Sequence, residues 1–390
     1  MNRSLLLPCL FASATSLAQA PVSFHLFAEM NGVHETAAGG EIPIWGYGWA
    51  DEGFITLPAP LLTCMEGDSV HVTMDNPSPE SHTIHWHGLD VDQANDGVPS
   101  TSFLIPTDSS ATYSFRADHS GTYLYHCHVT TTLHLTMGMY GMFVVDRPDG
   151  SLFEGGPTPD FAVPLLFSDL ELATNFNPTG AFPFHDIRPN YFMINGRNGA
   201  QLEAPDGVID YTPGDLIALR LGSMAYSRID VHVPTALNAT VVMSDGRPVP
   251  PLTTELLQIY PGERFTLLFE APATGWDGTL ACDFVMMADD EYEQTQTIHF
   301  NNLVAGVDAV AGASDAWNAA PNPTADQVSI SRVEGLAGSW VVRDLTGRLV
   351  AEGVAPAGPV NIDLALPAAG QYLFTGPGGQ TTRLMKVADR

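Results

Sequence analysis

The sequence predicts an all-β chain divided into three β-units, and three observations carry that prediction. Apolar residues come in short runs that alternate with polar ones, as in Val70-His71-Val72-Thr73-Met74 and Ala111-Thr112-Tyr113-Ser114-Phe115. This is the period-two pattern of strands buried on one face. Turn formers are plentiful, with 36 Gly and 30 Pro in 390 residues, while only 15% of residues are charged. Such a composition suits sandwiches or barrels rather than helical bundles, and the length allows two or three cores.

The units follow in order. Residues 1–20 have the form of a signal peptide: Arg3, the apolar run Leu5 to Ala12, and Ala18-Gln19-Ala20 as a small-x-small cleavage site. A first β-domain is expected over 21–150, ending in the strand-like Gly141 to Asp146 and the turn Arg147-Pro148-Asp149-Gly150. The Gly/Pro-rich Glu154 to Pro159 separates it from a second β-domain over 160–305. Residues 306–320 are rich in small residues and Asn and are expected to be a linker, leaving a small third β-unit over 321–390. No later run is long enough to span a bilayer.

The formal net charge is −29, and Lys386 is the only lysine. A chain this acidic is repelled by nucleic acid and by anionic membranes. Cys9 falls in the signal segment, which leaves Cys64, Cys127 and Cys282, an odd number for an oxidising compartment. Cys127, flanked by two histidines, is the one expected to hold something other than a disulfide. A bridge between Cys64 and Cys282 remains open.

Two segments concentrate metal ligands. In Ser81-His82-Thr83-Ile84-His85-Trp86-His87-Gly88, three histidines fall within six residues. In Tyr125-His126-Cys127-His128, two histidines flank a cysteine, and His134 and Met139 follow. Side chains alternate faces along a strand. With the two strands paired, one face collects His85, His87, His126 and His128. The other collects His82 and Cys127, with His134 and Met139 arriving from the following loop. Two His, a Cys thiolate and a weak axial Met form the ligand set of a blue-copper electron-transfer centre. Met137 is the competing axial candidate, and zinc is the chemical rival. An all-imidazole set suits copper at a site that takes a small molecule. Cys127 would then bridge the two sites covalently.

His82 to Pro99 (HTIHWHGLDVDQANDGVP) and Gly121 to Gly141 (GTYLYHCHVTTTLHLTMGMYG) resemble the copper-binding segments of the multicopper oxidases, the laccase family. The resemblance implies two cupredoxin-like Greek-key β-sandwiches ahead of the small C-terminal β-sandwich. It implies His82, Cys127, His134 and Met139 as type 1 copper ligands, His85 as a type 2 ligand, and His87, His126 and His128 as type 3 ligands. Asp96, in Asn95-Asp96-Gly97, matches an acid that assists proton delivery in the family; a turn-forming Asp before Gly is the plain alternative. The implied reaction is oxidation of a reductant at the type 1 copper and reduction of O2 at the imidazole cluster, with Cys127 carrying electrons between them. The electron donor, a small molecule or a small protein, is not specified by the sequence.

The chain also departs from the family. His134 follows Cys127 by seven positions, later than is usual there, and copper nitrite reductases have a longer loop still. In those reductases, however, the residue after the Cys is not His, so His128 favours the cluster type. The second domain resembles the family at Asn190 to Gly196, Asp245 to Val249 and Tyr260 to Phe265, yet Ser227-Arg228-Ile229-Asp230-Val231-His232 stands where an H-x-x-H-x-H motif would be. A full cluster in the family draws histidine pairs from two domains, and this chain supplies them from one. The expectation is a homo-oligomer that shares the cluster between subunits. A nitrite reductase and a non-enzymatic blue-copper carrier are the alternatives. The remaining histidines, His25, His34, His71, His119, His185 and His299, are expected to be surface or structural.

In the third unit, Pro321-Asn322-Pro323, Val341 to Arg348, Ala369-Gly370-Gln371-Tyr372 and the basic ending near Lys386 resemble the type A sorting domain of type IX secretion substrates. This implies a secreted or cell-surface protein, exported by its signal peptide and then across an outer membrane.

Overall fold

The computed structural model describes residues 21–181, 186–302, 317–320, 327–332, 337–344, 349–367, 370–377 and 381–386. The expected signal peptide, the last three residues of the expected second domain (303–305) and residues 306–316 of the expected linker lie outside the described residues.

The first unit contains β1 (Val22–Glu35), β2 (Glu41–Trp49), β3 (Leu62–Met65), β4 (Ser69–Asn76), β5 (His85–His87), β6 (Ser109–Arg116), β7 (Gly121–His126), a helix α1 (Thr131–Met137) and β8 (Tyr140–Asp146). Two four-stranded sheets, β2-β1-β4-β6 and β3-β8-β7-β5, face each other. The alternation that predicted strands is realised directly: Val70, Val72 and Met74 of β4 point inward and are fully buried. They pack with Trp86, Tyr113, Tyr125 and Phe143 in one core. Strand β5 is an edge strand whose single neighbour is β7.

Cys127 is followed not by a plain loop, as the sequence suggested, but by helix α1, which carries His134. A threonine-rich run gives little helical signal, because β-branched side chains lose rotamer freedom in a helix. The backbone supplies what composition lacks. Gly138 takes φ +110°, and the Gly138 and Met139 N–H groups donate to Leu135 O and His134 O, each at 2.9 Å. A glycine just past the last turn ends helices in this way.

The second unit comprises β9 (Phe161–Leu170), α2 (Leu172–Phe176), β10 (Tyr191–Ile194), β11 (Ile209–Tyr211), β12 (Leu216–Ser223), β13 (Arg228–His232), β14 (Thr240–Ser244), β15 (Arg247–Thr253), β16 (Leu256–Ile259), β17 (Arg264–Glu270), β18 (Thr279–Val285) and β19 (Tyr292–Asn302). A six-stranded sheet, β10-β9-β12-β17-β14-β15, packs on a five-stranded one, β11-β19-β18-β13-β16. Their core includes Phe167, Leu219, Val231, Leu267 and Phe284. A separate apolar cluster joins the two units: Ile42, Ile44, Leu124 and Met142 of the first meet Leu166, Met193 and Met224 of the second. Each such side chain contributes about 1.5–3 kcal/mol on burial, so the seam fixes the second unit against β7 and β8.

The third unit has β20 (Asn318–Ala320), β21 (Gln327–Arg332), β22 (Gly338–Asp344), β23 (Leu349–Ala355), β24 (Val360–Ala365), β25 (Gly370–Thr375) and β26 (Thr381–Lys386). Strand β20 falls inside the stretch expected to be linker and pairs with β21. Trp317, just before it, is buried in the third core with Val328, Val342 and Phe374, so ordered structure begins before residue 321. The small residues around Trp317 hid that anchor.

Cys64 and Cys282 are free thiols. Each is buried in the core of a different unit, so no disulfide joins them. Burial pushes both thiols up, Cys64 to about 12.

Candidate metal centre

Among the described residues, two sets of His and Cys donors converge, one on each face of the β5–β7 pair. Register explains the split. His85 pairs with His126 and Trp86 with Tyr125, so the histidines share one face while Trp86 and Tyr125 enter the core. Cys127, one residue beyond His126, turns inward.

The inner set is His82, Cys127 and His134, all fully buried. His82 is held by paired backbone hydrogen bonds with Ile105. Its Nδ1 lies 3.6 Å from Cys127 Sγ, and His134 Nδ1 lies 3.1 Å from the same sulfur. The Nε2 atoms of both rings are buried without a hydrogen-bond partner. The nearest carboxylate to His134 Nε2, Glu80, is 3.5 Å away, longer than a normal hydrogen bond. Burying an unpartnered imidazole is costly. A metal bound by two imidazole nitrogens and a thiolate gives these side chains a use that packing alone does not. Met137 and Met139 are both buried in the same core. Trp45 stands edge-on to His134 with ring centroids 5.5 Å apart.

The outer set is His85, His87 and His126. The His85 ring lies 5.1 Å from that of His126 and 5.3 Å from that of His128, centroid to centroid. His128 thus sits beside the set, but its donor atoms stand outside the closest three. Asp96 reaches His85 in two ways: its backbone oxygen is 2.8 Å from His85 Nδ1, and its carboxylate Oδ1 is 3.3 Å away. His85 Nδ1–H therefore donates to Asp96, which turns Nε2 toward the other rings. Gly97 makes this approach possible. Its φ is +73°, and a Cβ there would come within 1.9 Å of Ile84 O.

The second unit supplies groups that the sequence did not single out. Arg264 is buried, donates to Gly262 O at 2.7 Å and pairs with Asp245 at 2.9 Å. It lies so close to Gly88 that a Cβ at that position would be 2.1 Å from its Nη2. Gly262 itself faces the His87 ring. His232, by contrast, is half-exposed and paired with Asp283 at 2.7 Å. Tyr260 to Phe265 was visible as a segment, but nothing local in the sequence indicated that it meets His87.

Of the isolated histidines, His25 pairs with Asp75, His71 with Ser114, and His119 with Asp90. His34 packs against Tyr191. His185 lies outside the described residues.

Burial depresses the pKa of four histidines: His82 and His126 to about 3, His87 and His134 to about 4. Beyond desolvation, the Arg264 charge adds to the effect at His87 and neighbouring histidines add at His82 and His126. All four are neutral imidazoles near pH 7. Their folded pKa values lie below the unfolded value of about 6.5, so the unfolded chain binds more protons in acid. Metal-free protein is therefore expected to hold this stability in full above pH 6.5 and to lose it progressively as pH falls toward 4 and then 3. Thermal melts of metal-free protein from pH 7.5 to 4 check this; a flat profile would contradict it. Burial also pushes the Cys127 thiol up, against backbone hydrogen bonds at Thr83 and Val129 that favour the thiolate.

Comparison with known proteins agrees with the geometry. Two family models, both described as multicopper oxidase, match residues 55–150 and 169–307. Copper resistance protein A of Escherichia coli is 27% identical over 259 residues, 55% of this chain and 42% of that protein. Laccase-15 of Oryza sativa subsp. japonica is 31% identical over 236 residues, 56% of this chain and 38% of its own length. The chain thus spans about two fifths of the length of these curated relatives. The crystal structure of the blue copper oxidase from Nitrosomonas europaea superposes with a TM-score of 0.61 at 25% identity, covering 75% of this chain and 90% of that one. With matches that together span more than half of its residues and two His/Cys donor sets converging on one strand pair, the chain belongs to the multicopper oxidase family, with copper as its cofactor.

Proposed function

We propose that this protein is an exported copper oxidase that takes single electrons from a reductant at its inner site and reduces O2 at its outer site. The observation that carries the reading is the adjacency of Cys127 and His126. Consecutive residues donate to different sets on opposite faces of one strand end, so a few covalent bonds link the two sites. His82, Cys127, His134 and Met139 would hold a type 1 copper, and His85, His87, His126 and His128 would hold type 2 and type 3 copper. Copper, when bound, supplies the one-electron redox chemistry; the chain supplies geometry, proton handling and exclusion of water.

Each role rests on a named contact. The Thr83 and Val129 backbone favours the Cys127 thiolate that metal binding requires. Asp96 O fixes the tautomer of His85 by accepting from Nδ1. The Asp96 carboxylate is partly exposed and 3.3 Å from the same nitrogen, a position from which it can receive a proton from solvent and hold it beside the outer set. The core around Cys127 excludes solvent from the inner set.

The outer set is built from one unit of one chain, on the edge strand β5 and its neighbour β7, with His85 and His87 part-exposed. We read this as a site completed by a second copy of the chain in a homo-oligomer. Native mass spectrometry combined with a copper count tests it. The expected result is an oligomer with more than one copper per chain; a monomer with a full complement would overturn subunit sharing.

A second reading has its own support. The tightest outer donors are three histidines, with His128 outside them, which suits one copper rather than a cluster, as in a nitrite reductase. Nitrite consumption without O2 uptake would favour that reading. Blue absorption with one copper per chain and no turnover would instead indicate an electron carrier. Export rests on the signal-like residues 1–20, and surface sorting on the resemblance of the third unit.

A further inference from the structure

We infer that Tyr226, in the unit without a copper-ligand set, is a positioning residue for the inner site that clamps helix α1 and with it His134. This inference rests on the assignment of His82, Cys127 and His134 as type 1 ligands. The helix has seven residues and no side-chain hydrogen bond at its N-terminal cap, and helices so short are marginal by themselves. The Tyr226 hydroxyl donates to Thr132 O at 2.9 Å, and Thr136 Oγ1 lies 3.5 Å from the same hydroxyl. Both partners lie on α1, two residues either side of His134.

Tyr226 is itself anchored. Asp169 is fully buried, and its two carboxylate oxygens accept from Tyr226 N and Ser227 N, each at 2.9 Å. Met224 N adds a bond to Phe167 O at 2.8 Å, and Met224 packs in the apolar seam between the units. A continuous path of hydrogen bonds therefore runs from the body of the second unit, through Asp169 and Tyr226, to the turn of helix that presents His134. It passes through the start of the Ser227 to His232 stretch, which stands where an H-x-x-H-x-H motif would be. In this chain the beginning of that stretch supports the other site. Such support holds the helical turn that carries His134, and loss of a supporting partner at a metal site typically weakens metal binding about 10–100-fold.

The test uses the copper-loaded full chain and compares it with Tyr226→Phe, which keeps the ring and removes the hydroxyl. The readouts are the visible and EPR spectra of the inner copper, its reduction potential, and its rate of release to a chelator. The expected result is a shifted potential and hyperfine splitting, with roughly tenfold faster loss of inner copper and outer copper retained. Arg247→Met, which severs a different tie between the units at Tyr123 and Asp90, is expected to leave the inner spectrum unchanged. Identical spectra, potential and release rate in Tyr226→Phe would overturn the clamp, as would an equal shift in Arg247→Met. Should Tyr226→Phe not fold, Asp169→Asn is read in the same way, since it keeps the shape and removes one acceptor. Failure of the ligand assignment is distinguishable: the unsubstituted protein itself would then show no thiolate–copper absorption, which overturns both readings.

Discussion

Cys127→Ser is expected to abolish the visible thiolate–copper absorption and to lower turnover by about a thousandfold or more, the scale on which a member of a cooperating catalytic unit is lost. The serine oxygen fits where the sulfur was, so folding should survive: Cys127 belongs to one core with Trp86, Tyr125 and Met139. What disappears is the Cys127 thiol, whose sulfur lies 3.6 and 3.1 Å from the Nδ1 atoms of His82 and His134. Hard alkoxide chemistry does not replace a soft thiolate ligand at copper. The outer histidines do not depend on the sulfur and should still load. Absorption, EPR and a copper count on one preparation check this. A variant that stays blue would remove Cys127 from the inner site.

The converse result is expected from His85→Ala. His85 is the hub of the outer set, with its ring against those of His87, His126 and His128. It is also the histidine that Asp96 orients. Its loss should weaken outer copper by more than about a hundredfold, beyond the usual effect of losing a supporting partner, and stop O2 uptake while the blue absorption persists. The two sets share no residue, which is why the losses should separate. A copper count with an oxygen electrode decides it. O2 uptake at the unsubstituted rate would eliminate the outer set as the oxygen site.

The face of each candidate ligand was legible in the sequence because strand parity is a local rule. His85 and His87 must point together, His126 must oppose Cys127, and pairing β5 with β7 leaves one arrangement. The alternation of Val70, Val72 and Met74 made β4 equally plain. Helix α1 was not legible, since its threonines favour extended backbone and its stability comes from Gly138 and from Tyr226 on another unit. Arg264 beside Gly88, and Trp45 beside His134, could not be read either. Those contacts join residues far apart in sequence, and nothing local to either partner indicates that they meet. The link from Asp96 to His85 lay between: the Asn95-Asp96-Gly97 turn was visible, but the close approach of Gly97 to Ile84 was needed to bring it under the histidine.

The His134 ring has no exposed surface, and the groups around its outer edge are Trp45 and the half-exposed Glu80. Under the proposed function a reductant cannot touch this ring itself, so its electron must tunnel through at least one intervening side chain. Tunnelling rates depend on distance and driving force more than on close fit to a pocket. Under the proposed function, this burial selects donors by how strongly they reduce and how near the surface at Glu80 they can come, with molecular shape a secondary filter.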